Sequence, residues 1–80
     1  MEKVIINLTP ETVSGFVNAA NDCDFDIDVA NVKAERDARD AKSIMGVMTL
    51  DFDRDIVVMY EGENEKFEAV LAKLKVPEKG

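Results

Sequence analysis

Hydrophobic and polar positions change period several times along this chain, and each change marks a predicted element. Residues 3–8 form a short, β-branched apolar run that reads as a strand. The run halts at Thr9-Pro-Glu-Thr12, a helix-start signal: Thr9 can cap, Pro10 has its φ preset for the first helical position, and Glu11 suits the positive end of the dipole. Val13, Phe16, Val17 and Ala20 then recur at i, i+3, i+4 and i+7, one face of an amphipathic helix that ends at Asn21 and Asp22.

Asp22-Cys-Asp-Phe-Asp-Ile-Asp-Val29 alternates strictly, with Cys23, Phe25, Ile27 and Val29 on one side and four aspartates on the other, which predicts a strand with one wet face. Asp22, Asp24 and Asp26 resemble the opening of a calcium loop. Such a loop needs a glycine at its sixth position and a carboxylate at its twelfth, and Ile27 and Lys33 stand there instead, so no metal site is expected. In residues 31–40 the signals conflict: the composition forms helices, yet a hairpin partner for the preceding strand is wanted, and Val32 and Ala34 alternate. The expectation is a short, polar strand.

In residues 42–50, Ser43 can act as N-cap to a short helix. Ile44 and Val47, Met45 and Met48, and Val47 and Leu50 all pair at i, i+3, more apolar surface than one buried face needs. Spacing alone favours core packing and leaves an exposed docking patch open. Residues 55–60 predict a strand entered through the turn at residues 53–55 and left through Glu61 and Gly62. Phe67, Val70, Leu71 and Leu74 mark the apolar face of a last helix, with Lys73 and Lys75 near its negative end, and residues 76–80 predict a loose tail. The order is β-α-β-β-α-β-α. It predicts an α+β fold in one domain: a four-stranded antiparallel sheet with three helices on one face and the aspartate row toward water.

Composition narrows the function classes. A chain of 80 residues buries only roughly 60–65% of its unfolded surface, which leaves little room for a deep substrate cleft. With 17 acidic against 10 basic residues, the net charge of -7 repels phosphate backbones and anionic lipid heads, so neither nucleic acid nor membrane is an expected partner. Cys23 is the single cysteine, which rules out an intramolecular disulfide and fits a reducing cytoplasm. Residues 1–8 lack the features of a secretory signal, and no run approaches the roughly 20 apolar residues that span a bilayer.

The segment Lys42-Ser-Ile-Met-Gly-Val-Met48 closely resembles the regulatory-serine segment of the HPr phosphocarrier proteins of the bacterial sugar phosphotransferase system. The element order matches that family's open-faced sandwich as well. The resemblance implies that Ser43 is the target of a dedicated serine kinase, and that Lys42, Ile44, Met45, Val47 and Met48 belong to a partner-binding surface. HPr proteins also carry a phosphoryl group on a histidine at the start of the first helix, in a Gly-Ile-His-Ala-Arg-Pro-like loop. This chain contains no histidine; Thr9 falls near that position and Glu11 near the arginine's. Threonine cannot replace a phosphoimidazole as a reversible carrier, and a carboxylate at Glu11 repels the phosphate an arginine attracts. The segment before Lys42 departs too, being a few residues longer than usual and lacking the Asn-Gly-Lys type of hairpin turn.

Three functions remain. The first is a cytoplasmic regulatory module without carrier activity, similar to the histidine-less HPr-like proteins of carbon catabolite repression. Its partners would be a serine kinase and a transcriptional regulator or phosphotransferase-system component, and it would be a monomer or weak dimer without cofactors. A second is phosphoryl carriage on Cys23, Thr9 or Ser14, none of which has a recognisable base. The third is a docking or structural protein in which Ser43 is only a helix cap. Enzymatic activity is not expected.

Overall fold

The computed structural model describes residues 1–76; of the proposed tail at residues 76–80, Val76 is tied down by its N–H donating to Ile5 O at 3.0 Å, and residues 77–80 lie outside the described residues. Its elements are β1 (Glu2–Ile6), α1 (Val13–Asn21), β2 (Ile27–Asn31), β3 (Arg39–Asp40), α2 (Ile44–Val47), β4 (Ile56–Tyr60) and α3 (Glu65–Leu74), with one 3-10 turn at Glu35–Asp37. The strands form one antiparallel sheet in the order β1-β4-β2-β3, as the α+β reading requires.

Strand β4 is apolar at every position because it is central and both of its faces are covered. On the helix side, Ile56, Val58 and Tyr60 join Ile6, Ile27 and Val29 beneath the buried stripes of α1 and α3. Val13, Phe16, Val17 and Ala20 are the buried face of α1, and Phe67 and Leu71 that of α3. Aromatic rings knit the layers: Phe67 meets Phe16 at 6.0 Å and Tyr60 edge-on at 5.4 Å, and Phe25 stacks on Tyr60 at 5.8 Å. Helix α3 starts on a reciprocal cap: Phe67 N–H donates to Asn64 Oδ1 at 3.0 Å, and Asn64 N–H donates to Glu68 Oε2 at 3.2 Å.

Three expectations are corrected. The alternating run is strand only from Ile27, because β4 ends at Tyr60, opposite Ile27, and residues 22–26 have no strand to pair with. The alternation survives as burial all the same, with Cys23, Ile27 and Val29 inside and the four aspartates exposed. Residues 31–40 are not a polar strand; only Arg39 and Asp40 pair, opposite Val29 and Asp28. Ahead of them the chain turns through Lys33 at φ 74° and the 3-10 turn. Ala38 packs against Ala30, Val57 and Met59 on the sheet's second face, and Lys3 Nζ reaches Glu35 Oε1 at 2.8 Å. The added length thus covers apolar surface that a tight hairpin would leave wet. Thirdly, residues 10–12 form a turn, and α1 begins at Val13. The Thr9 carbonyl accepts from Thr12 N–H at 3.0 Å and Val13 N–H at 3.1 Å, while its hydroxyl meets only Thr12 Oγ1, at 3.3 Å.

Candidate functional site

Helix α2 is a single turn held from below and behind. Val47 is fully buried, packed into the core under the helices. Ala41, also fully buried, donates its N–H to Ile27 O at 2.9 Å and ties the approach to the sheet. Asp40 shapes the intervening turn, accepting Lys42 N–H on Oδ1 at 2.9 Å and Ser43 N–H on its carbonyl at 3.0 Å. Ser43, in extended conformation at φ -103° and ψ 111°, then accepts Gly46 N–H on Oγ at 3.2 Å, the N-cap its position predicts.

With Val47 pointing inward, helical geometry turns Met45 and Met48 outward, 80% and 51% exposed, while Ile44, one turn before Val47 on the same side, stays 47% exposed at the helix start. The apolar surplus is therefore divided, and both readings of the spacing apply, to different residues. Val47 is excluded from any partner-facing surface. Lys42 also departs from expectation, because its Nζ donates to Cys23 O at 2.9 Å, beyond the last turn of α1. That ammonium is directed to the negative end of α1. Asn21 braces the same junction, donating to Val17 O at 2.9 Å and to Lys42 O at 3.0 Å. Nothing in the linear pattern flags Asn21, since an asparagine at a helix end reads only as a stop signal.

Two other sequence candidates lie apart from this cluster. Thr9 and Glu11 are exposed at the start of α1, whereas Ser43 sits by its last turn. No histidine stands at either end. Cys23 is buried, and burial pushes its thiol pKa up; Lys42 opposes this, and Asp22 and Asp24 reinforce it. A raised thiol holds its proton and is a poor nucleophile at neutral pH. Ser14 is exposed and, among the described residues, has no hydrogen-bonded base. Among the described residues no group of three His, Cys, Asp or Glu side chains could hold a metal ion, and no helix is long and apolar enough to cross a membrane.

Residues 11–76 match the family described as the PTS HPr component phosphorylation site. The chain belongs to the HPr family of the phosphotransferase system. A crystal structure of the phosphocarrier protein HPr from Bacillus anthracis str. Ames is similar to this HPr-family chain at 27% identity and a TM-score of 0.66, over 92% of this chain and 94% of that one. No curated protein matches. The matched span begins beyond Thr9 and contains the whole Ser43 segment.

Proposed function

We propose that this HPr-family protein is a cytoplasmic regulatory module that carries no phosphoryl group on histidine and whose docking face is controlled by phosphorylation of Ser43 in carbon catabolite regulation. The observation that carries the reading is the exposure of Ser43 beside Ile44, Met45 and Met48 in a chain without histidine. In the reaction a kinase would catalyse, Ser43 Oγ forms a bond to the γ-phosphorus of ATP, the bond to ADP breaks, and the hydroxyl proton leaves to a base of the kinase. The product gains roughly two negative charges next to three exposed apolar side chains. A partner with a basic rim around an apolar groove, on a transcriptional regulator or a phosphotransferase-system component, has the complementary chemistry. Methionine suits such a face because its side chain adapts to its partner.

Incubation with an HPr-type serine kinase and ATP, followed by intact-mass measurement, tests the reading. One phosphate on the wild type and none on Ser43→Asn, which retains a cap, is the expected result. No phosphate on the wild type, or phosphate that survives the substitution, overturns it.

A second reading is favoured by one contact. Ser43 Oγ already accepts Gly46 N–H, so the serine has a structural use without modification, in a docking protein of the same fold. If the apolar face serves self-association instead, Met48→Asp would abolish a dimer seen by sedimentation. Carriage on another nucleophile is the weakest reading, since Cys23 is buried and Thr9 and Ser14 have no base; transfer of label from phosphoenolpyruvate through enzyme I would revive it.

A further inference from the structure

Phosphorylation would place a dianion where this fold offers little obvious compensation. Helix α2 is one turn long, so its dipole gives such a charge little. Lys42 is engaged on Cys23 O, and the Asp40 carboxylate lies on the same turn and would repel a phosphate. The chain as a whole is already strongly acidic.

Arg39 is the cation left over. It sits on β3 opposite Val29, which is buried on the helix side of the sheet, and so its side chain stands on the side where α2 packs. A Cβ built on Gly46 would lie 3.5 Å from Arg39 Cβ and 3.5 Å from Ser43 Oγ, so those two atoms are separated by no more than twice that distance. Gly46 has no side chain to fill the space between them. An extended arginine spans most of this distance from its Cβ, and a phosphate on Ser43 projects its oxygens beyond Oγ to close the rest. Arg39 is exposed and, among the described residues, has neither an ion pair nor a side-chain hydrogen bond. Asp37 lines a shallow pocket with Arg39, beside Thr49 and Leu50, and among the described residues makes no ion pair with it.

We infer that Arg39 is the intramolecular partner of a phosphate on Ser43, its planar fork donating to two phosphate oxygens across Gly46. The pair itself carries about one net negative charge and holds the phosphate against α2. A docking partner then meets an anion of fixed position flanked by Ile44 and Met45. Arg39 is a positioning residue in this arrangement. Its guanidinium suits the task better than an ammonium would, because bidentate donation fixes direction as well as charge.

The inference rests on Ser43 being the modified residue, yet its test is independent of any kinase. The full chain is made by chemical synthesis with phosphoserine at position 43, and its phosphate is titrated by phosphorus-31 NMR. Carriers of the same phosphoserine with Arg39→Gln, which keeps the stem and removes the charge, and with Lys73→Gln, an equal charge change near the far end of α3, are titrated alongside. An adjacent guanidinium favours the dianion, so the second phosphate ionisation of the wild-type chain should lie about half a pH unit or more below that of Arg39→Gln, with Lys73→Gln close to wild type. Equal midpoints in wild type and Arg39→Gln overturn the inference, as does an equal rise in both variants, which would show only bulk charge. Failure of the kinase assay with success here would sink the regulatory reading and keep the pair; the reverse would do the opposite.

Discussion

Replacing Ser43 with alanine isolates the structural role of the serine from its role as a target. The Gly46 N–H that now donates to Ser43 Oγ at 3.2 Å would lose its acceptor. Loss of a side-chain N-cap costs about 0.5–2 kcal/mol, and asparagine caps as well as serine. Here the bond is on the long side and the cap is exposed to water, which can replace it in part, so the lower half of that range applies, about 0.5–1 kcal/mol. In a domain of this size that lowers the melting temperature by about 2–8 °C. Urea unfolding followed by circular dichroism should show this for Ser43→Ala with an unchanged m-value, because the exposed surface of the unfolded state is the same. Ser43→Asn should stay within a few tenths of a kcal/mol of wild type. If Ser43→Ala is as stable as wild type, or Ser43→Asn as unstable as Ser43→Ala, the serine does not cap α2 and the reasoning fails. A confirmed cap also supplies Ser43→Asn as the folded control that the phosphorylation assay needs.

The two sides of α2 should respond differently to truncation: Val47→Ala is expected to cost about 2 kcal/mol from lost burial, whereas Met45→Ala should stay within about 0.5 kcal/mol in the same urea assay. At Gly62, where φ is 153°, an added Cβ would lie 2.4 Å from Phe25 Cδ1; Gly62→Ala should therefore destabilise the protein by about 1–3 kcal/mol and shift the ring resonances of Phe25 and Tyr60, which stack on each other. Burial raises the pKa of both Cys23 and Tyr60, so the folded chain holds these protons more tightly than the unfolded one. That contribution to stability is complete below the unfolded values and declines as pH rises through the cysteine range, near about 8.5, and on through the tyrosine range, near about 10. Unfolding free energies across alkaline pH check the sign, and a stability that rises between pH 8 and 10 (about the span of those ionisations) would contradict it.

Much of the architecture is legible in the linear pattern because local period and burial agree there. The i, i+3, i+4 spacing of Val13, Phe16, Val17 and Ala20 can be satisfied only by a helix against a core, and the run ending at Tyr60 only by a strand covered on both faces. Residues 22–26 misled because alternation reports which side chains are buried and says nothing about whether a neighbouring strand is long enough to pair. Residues 31–40 misled for a related reason. Their fate depended on the second face of the sheet, where Ala30, Val57 and Met59 needed cover that no local signal announces.

The candidate site divides along the same line. Sequence by itself determined the missing histidine, the acidic balance, the capping serine and the apolar surplus around it, all of which are properties of residue type and spacing. Only the tertiary structure decided that Val47 goes inward while Ile44, Met45 and Met48 stay out, that Lys42 turns to the end of α1, and that Arg39, without an ion pair among the described residues, stands across Gly46 from Ser43. A one-turn helix has apolar residues on every side, so which of them is buried depends on the sheet and helix it lands against, and that is set by contacts distant in the chain.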